Sequence, residues 1–129
     1  MTDSMSHPEP SLEQSQREAI FDFLLLAMYA DSVLKRVEDA RIYEMMSGVG
    51  WSSFQDPREY SNTAIARVRK ASENPQSTTE FLHELSDRLR TSEARQFALV
   101  LFSRLLESDK DVSVEEDHLY AAAKGIFGA

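Results

Sequence analysis

The sequence contains no cysteine and only four glycines and four prolines among its 129 residues. Without cysteine, the chain can form neither disulfides nor thiolate-ligated metal sites, and redox chemistry gives no information on its compartment. Glycine and proline are the strongest breakers of regular structure. Their scarcity favours a mostly helical protein with short connections.

Basic residues are also scarce, because 14 Lys and Arg stand against 22 Asp and Glu and the formal net charge is −8. A dedicated nucleic-acid binder normally needs a basic face, so this class is not expected. The charge instead suits a soluble protein that meets cations or basic partners.

No apolar run is long enough to cross a lipid bilayer. The longest, from Ala19 to Ala30, is interrupted by Asp22 and is shorter than the roughly 20 residues that a spanning helix needs. The N-terminus lacks a basic region before an apolar stretch, which is the pattern of a signal peptide. We therefore expect a cytoplasmic protein.

Length and hydrophobic periodicity predict one helical domain. A chain of 129 residues with 42% hydrophobic content can bury a single core. Residues 1–10 are polar and hold two prolines, so we expect a flexible tail followed by one domain over residues 11–129. No stretch alternates long enough to predict a strand. The expected fold is an all-α bundle of six to seven helices.

The most apolar predicted helix begins at Ser11-Leu12-Glu13-Gln14, which has the Ser-x-x-Gln form of a helix start, and runs to about Ala30. Apolar residues cover nearly its whole circumference, so we expect the central helix of the bundle. The other helices are expected over about 36–47, from Asp56-Pro57 to about 71, from the Ser77-Thr78-Thr79-Glu80 box to about 89, from Thr91 or Ser92 to about 105, and from the Ser113 box to about 127.

Two acidic segments follow apolar helices and resemble each other. They span residues 31–38 and 109–116, and in each an Asp is followed seven residues later by a Glu. When the chain is shifted over itself by about 78 residues, these segments coincide and Phe23-Leu24 falls on Leu101-Phe102. The shift predicts two related helical hairpins around a pseudo-two-fold axis.

This chain resembles the TerB-like domains in one local pattern. The pattern is an apolar helix that ends in Ala-Asp, then a short turn with one apolar residue, then an acidic helix start. These domains are named for tellurite-resistance proteins and also occur on the cytoplasmic side of DjlA-type co-chaperones. The matching segments are Tyr29 to Glu38 and Ser108 to Glu116, with Asp31-Ser32 and Asp109-Lys110 where the family usually has Asp-Gly.

The resemblance implies an all-helical bundle of two related halves that covers nearly all of the chain. It also implies a non-enzymatic module that acts through a protein partner, and a role in stress or tellurite resistance would come from the family alone. The partner's identity is open, and a homodimer is one form that it could take.

Six carboxylates of the acidic segments are candidate ligands for Ca²⁺ or Mg²⁺ if the two turns converge, because these ions prefer hard oxygen ligands. The candidates are Asp31, Glu38, Asp109, Asp111, Glu115 and Glu116. The alternative is a purely structural interaction domain without a metal site, in which the acids form turns and stabilise helix starts. Lys35 and Arg36 could then neutralise the first turn.

Other motifs give little support for an enzyme. There is no His-x-x-x-His pair, Gly-rich phosphate loop or nucleophile elbow. A carboxylate acid–base enzyme is the remaining alternative, and it would need a pocket near Asp31 and Glu116. A set of basic residues in the middle of the chain forms either a solvated face or a docking patch for an acidic partner or a second copy. The set is Arg67, Arg69, Lys70, Arg88, Arg90 and Arg95.

Overall fold

In the computed structural model, which describes residues 12–30, 42–46, 57–107 and 114–128, the fold is all-α, as the sequence predicts. Five helices are labelled here in chain order: α1 Gln14–Ala30, α2 Pro57–Ala71, α3 Pro75–Leu89, α4 Ser92–Glu107 and α5 Val114–Phe127. Residues 42–46 are also helical, and no strand occurs among the described residues. None of the helices in these ranges is long and apolar enough to cross a membrane. The tail predicted over residues 1–10 lies outside them.

Helix α1 is the central helix, as its apolar circumference predicts. All of residues 19–27 are buried, and each of the other four labelled helices packs against α1. A surface helix would show a polar face opposite its apolar stripe. Because α1 has neighbours on all sides, its one acidic residue in this stretch, Asp22, is enclosed as well.

Stacked aromatic rings join α1, α4 and α5 at the centre of the core. Phe23 stacks on Phe102 with 4.6 Å between ring centroids, and Phe127 contacts Phe23 at 5.2 Å. Phe102 also stacks on Tyr120 at 5.6 Å. Burying a large apolar side chain contributes about 1.5–3 kcal/mol, and an aromatic pair adds about 0.5–1.5 kcal/mol. This cluster therefore fixes the second half of the chain on α1.

Residues 42–46 pack against α1 and α2 through a second aromatic cluster. The ring of Phe21 contacts Tyr43 at 6.0 Å and Tyr60 at 5.4 Å. The Tyr43 hydroxyl and Ser61 Oγ share a hydrogen bond of 2.8 Å, and the Arg58 guanidinium lies 4.4 Å from the centre of the Tyr43 ring. Apolar and polar contacts together anchor this short helical segment.

The start of α3 differs from the prediction. The helix begins at Pro75 rather than at the Ser77 box, and the side chain of Asn74 accepts a hydrogen bond of 2.8 Å from the backbone N–H of Ser77. Asn is as good a cap as Ser, and Pro fits the first helical position because its missing N–H has no intrahelical partner there. The cap is therefore Asn74, three residues before the predicted cap Ser77. The Thr78 hydroxyl donates to the Ala71 carbonyl.

The starts of α1 and α4 use side chains to bind free backbone N–H groups. Thr91 Oγ1 accepts from the N–H of Ala94 at 3.1 Å, which settles the predicted choice between Thr91 and Ser92 as the cap. In α1, Gln16 Oε1 accepts from the Glu13 N–H at 2.7 Å. The helix begins at Gln14, and Ser11 of the predicted Ser-x-x-Gln start lies outside the described residues.

Helix directions follow from one hydrogen bond and one shared cleft along α1. Near its start, Gln16 Nε2 donates to the carbonyl of Leu89, at the end of α3, over 2.6 Å. Near its end, Leu26 shares a cleft with Ser72, which follows α2, and with Leu119, in the second turn of α5. Helix α1 thus runs parallel to α2 and antiparallel to α3 and α5. The ends of α1 and α2 and the starts of α3 and α5 lie at the same end of the bundle.

Candidate functional site

The most organised polar group in the described residues is a cluster around the Asp22 carboxylate, which is fully buried on α1. Tyr60 donates its hydroxyl to Asp22 Oδ1 at 2.8 Å. Arg67 donates from Nε to Oδ2 at 3.1 Å and from Nη2 to Oδ1 at 3.3 Å. Arg88 donates from Nη1 to Oδ2 at 2.7 Å. Side chains from α1, α2 and α3 thus meet at one carboxylate.

These contacts satisfy the buried charge. A carboxylate has about four acceptor positions, and Asp22 receives four hydrogen bonds. Burying an unpaired carboxylate would cost several kcal/mol, so Asp22 requires its cationic partners. Arg67 also donates to the Tyr60 hydroxyl and lies over the Tyr60 ring. The cluster is therefore a clamp that holds three helices in register.

The protonation states follow from the same environment. Burial raises the pKa of the Tyr60 phenol, and the negative charge of Asp22 beside it raises this pKa further. For Arg67 and Arg88, burial opposes the charged form, but Asp22 more than compensates and raises the pKa of both guanidiniums. Tyr60 is therefore neutral and both arginines are charged.

The cluster carries more positive than negative charge. Two guanidiniums oppose one carboxylate, and both arginine side chains reach the surface, with 41% exposure for Arg67 and 26% for Arg88. Within the part of the chain that the structure describes, the polar contacts of these guanidiniums are with Asp22 and Tyr60. One positive charge is thus left at the surface above the buried anion.

The predicted basic face is only partly a solvated surface. Arg67 and Arg88 turn towards Asp22, whereas Arg69 and Lys70 are exposed. The two remaining members of the set make other contacts: Arg90 pairs with Glu13, and Arg95 Nε donates to the Ser86 carbonyl.

The Asp22 cluster was not predicted from the sequence, although one signal for it is present. Asp22 interrupts the longest apolar run, in a helix predicted to be enclosed on all sides. Since charged residues are almost never fully buried unless paired, such an acid implies cationic partners on neighbouring helices. Which arginines supply the charge depends on how α2 and α3 pack, and local patterns do not give this.

A cleft of about 400 Å³ lies at the end of the bundle where α1 finishes and α5 begins. Its apolar surface comes from α1, α5 and the start of α3, and its polar rim from the turn between α2 and α3. The lining residues are Leu26, Ser72, Glu73, Asn74, Pro75, Thr78, Thr79, His118, Leu119 and Ala122. His118 is exposed at this rim.

The six predicted metal ligands are only partly covered by the structure. Four of them, Asp31, Glu38, Asp109 and Asp111, lie outside the described residues. Glu115 and Glu116 belong to the first turn of α5, and Glu116 is fully buried. In the described ranges, no three His, Cys, Asp or Glu side chains come together in a way that could hold a metal ion. Convergence of the acidic segments stays a prediction.

Comparisons of this chain with protein-family models, with curated proteins and with solved structures find no match. The fold and the cluster together define an all-α bundle. Its central helix is held in place by hydrogen bonds from Tyr60, Arg67 and Arg88 to the buried Asp22.

Proposed function

We propose that this chain is a small, non-enzymatic TerB-like helical module that acts through a protein partner and binds a divalent cation at its acidic inter-helix turns. The stress or tellurite-resistance role implied by the family is part of this proposal. It extends the resemblance carried by residues 29–38 and 108–116 to the whole chain.

The packing of the aromatic core supports the two related halves. The shift of about 78 residues aligns Phe23-Leu24 with Leu101-Phe102, and Phe23 stacks on Phe102 at the crossing of α1 and α4. Under this shift Phe102 is equivalent to Leu24, the direct neighbour of Phe23, so corresponding segments of the two halves lie against each other at this crossing. The same shift aligns Ile42 with Tyr120, and both face the core. This arrangement favours six to seven helices in two hairpins.

The state of the buried Asp22 carboxylate supports a non-enzymatic role for this cluster. A general base needs a free lone pair within reach of a substrate. The Asp22 carboxylate instead receives four hydrogen bonds and is fully enclosed. The lone pairs of this carboxylate are therefore used in the hydrogen bonds that hold α1, α2 and α3 together.

One geometric relationship carries the cation proposal: Leu26 and Leu119 line the same cleft. Leu26 lies one turn before the end of α1, and Leu119 lies in the second turn of α5. The helices that border the two acidic segments therefore end and begin at the same end of the bundle. This supports convergence of Asp31 and Asp109, which must come within about 10 Å of each other to share one ion.

Thermal melting with added Ca²⁺, Mg²⁺ or Zn²⁺ tests the cation site. We expect Ca²⁺ or Mg²⁺ at millimolar concentration to raise Tm of the wild type, because a cation that binds only the folded state stabilises it. Asp109→Asn combined with Asp111→Asn should abolish the rise. The matched control, Glu84→Gln with Asp87→Asn, removes two exposed acids of α3 and should keep it. If no cation raises Tm of the wild type, the protein has no such site.

The purely structural interaction domain is the second candidate, and the start of α5 favours it. The helix begins at Val114, directly after Ser113, and Glu116 lies in its first turn. Ser113→Ala and Glu116→Gln should then each lower the free energy of unfolding by about 0.5–2 kcal/mol. The two candidate functions differ in how this loss of stability responds to metal. If the turns bind no cation, the loss is the same with and without added metal; if they bind one, it changes.

A further inference from the structure

The surface above Asp22 carries a positive charge that the rest of this acidic protein does not share. Residues 57–107 contain eight Lys and Arg and seven Asp and Glu, whereas the whole chain has a net charge of −8. Within this region, Arg67 and Arg88 are held side by side because both bind one carboxylate. We propose that the outer edges of these two guanidiniums bind a carboxylate group of an acidic partner segment.

Unused donors are available at this position. A guanidinium has five N–H groups, and Arg67 directs Nε and Nη2 to the cluster while Arg88 directs Nη1. This leaves Nη1 of Arg67, and Nε and Nη2 of Arg88, outside the contacts with Asp22, although Arg88 also has Tyr60 as a hydrogen-bond partner. Both side chains are partly exposed, so the pair of guanidiniums is open to solvent.

The site is ordered before a ligand arrives. A free surface arginine loses side-chain entropy when it binds an anion, and this loss opposes binding. Here Asp22 already fixes both guanidiniums, and the Tyr60 ring supports Arg67 from one side. The entropy cost of binding is therefore lower than at exposed Arg69 on the same helix.

Charge and shape select a carboxylate. The cluster has one unbalanced positive charge, which matches a single carboxylate, and the planar guanidinium matches the carboxylate fork. A phosphate dianion would exceed the unbalanced charge and meet stronger repulsion from the acidic chain. At physiological ionic strength the Debye length is about 8 Å, so a local positive charge can attract an acidic segment despite the net charge.

The site itself depends only on the geometry around Asp22, while assigning its ligand to a partner rests on the proposed function.

The direct test follows the Nε–Hε NMR signals of Arg67 and Arg88 at constant ionic strength without divalent cations. An acetylated and amidated tetrapeptide of Glu is the probe, and the same peptide with Gln is its uncharged counterpart. Acetate and inorganic phosphate, titrated separately, distinguish a peptide segment from a free anion.

We expect the Glu peptide to shift both signals in a saturable manner and the Gln peptide to leave them unchanged. Arg67→Gln should weaken binding roughly tenfold, the loss of one charge-assisted pair. Arg67→Lys, which keeps the charge but not the planar fork, should weaken it less. Arg69→Gln is the matched control, because it removes an exposed charge of the same helix and should not change affinity.

The two Arg67 variants separate binding from a purely structural role, because a clamp without binding function would show no saturable shift with the Glu peptide even in the wild type. Absence of a saturable shift, equal loss in Arg69→Gln and Arg67→Gln, or binding of phosphate but not peptide would each overturn the inference. If Ca²⁺ raises Tm but the Glu peptide does not shift the arginine signals, the carboxylate-binding inference is overturned while the proposed function stands.

Discussion

Arg88 donates from Nη1 to Asp22 Oδ2 over 2.7 Å, although 66 residues separate the two in the sequence. Arg67 reaches the same carboxylate from α2, 45 residues away from Asp22. A single buried side chain of α1 thus determines how two other helices are placed, and its substitution should affect the whole bundle.

Asp22→Asn is expected to lower the free energy of unfolding by about 2–3 kcal/mol. Breaking a fully buried ion pair typically costs about 3–5 kcal/mol, and the loss is smaller here because both arginines reach solvent. Urea denaturation followed by circular dichroism measures the change. Asp87→Asn, on the exposed side of α3, should stay within about 0.5 kcal/mol of the wild type. Equal effects of the two substitutions would contradict the clamp.

Replacing the whole ion cluster should harm the protein less than breaking it. In the triple variant Asp22→Leu, Arg67→Met and Arg88→Met, no charge remains buried without a partner, and such replacements are often neutral or stabilising. We expect the free energy of unfolding of the triple variant to exceed that of Asp22→Asn, by the same urea measurement. A triple variant that is less stable than the single one would show that the cluster contributes net stability.

The raised pKa of Tyr60 predicts a loss of stability at alkaline pH. In the unfolded chain this phenol ionises near pH 10, while in the folded protein it stays neutral to higher pH. Its contribution is complete below about pH 10. Above that value, stability falls by about 1.4 kcal/mol per pH unit until the folded-state pKa is reached.

Comparing the wild type with Tyr60→Phe isolates this contribution. At neutral pH the variant should be less stable by about 0.5–1.5 kcal/mol, because the hydrogen bond to Asp22 is lost. Above pH 10 the difference should shrink, since Phe has no proton to release. Urea denaturation at several pH values measures it, and a difference that does not change with pH would mean that Tyr60 ionises equally in both states.

The start of α3 gives a prediction that separates two candidate caps. Asn74→Ala should lower the free energy of unfolding by about 1 kcal/mol, because the Ser77 N–H loses its acceptor. Ser77→Ala should have an effect within about 0.5 kcal/mol, since the Ser77 side chain does not cap the helix here. The reverse order of effects would place the helix start at Ser77.

The stacked pair at the centre of the core should be strongly coupled. Phe23→Ala and Phe102→Ala should each lower the free energy of unfolding by about 3–5 kcal/mol, because each leaves a cavity beside the remaining ring. In a double-mutant cycle, the combined loss should be smaller than the sum by about 0.5–1.5 kcal/mol. Strict additivity would indicate that the rings do not contact each other in solution.

Helix positions were largely predictable because periodicity and caps are local properties. The apolar circumference of α1 predicted its central place, and its end at Ala30 and the end of α2 at Ala71 were correct. The error at α3 arose where two start signals overlap. Asn74-Pro75 and the Ser77 box both fit a helix start, and the earlier one forms because Asn caps and Pro occupies the first helical position together.

The Asp22 cluster was beyond local patterns for a different reason. Its members come from three helices, and the pairing of Asp22 with Arg67 and Arg88 depends on helix packing. The sequence shows that an acid lies in a buried helix, but it does not show which of several arginines faces it. The acidic segments, by contrast, were found by local pattern, and whether they meet is again a question of packing.

The clamp at Asp22 also bears on how the helices find their alignment. Sliding α1 by one turn along its axis would move Asp22 by about 5.4 Å, out of reach of Arg67, Arg88 and Tyr60 together. An apolar helix surface tolerates such slippage, since one leucine can replace another in a groove. A single buried carboxylate penalises every misaligned assembly, so its contribution is to make one alignment far more favourable than its neighbours.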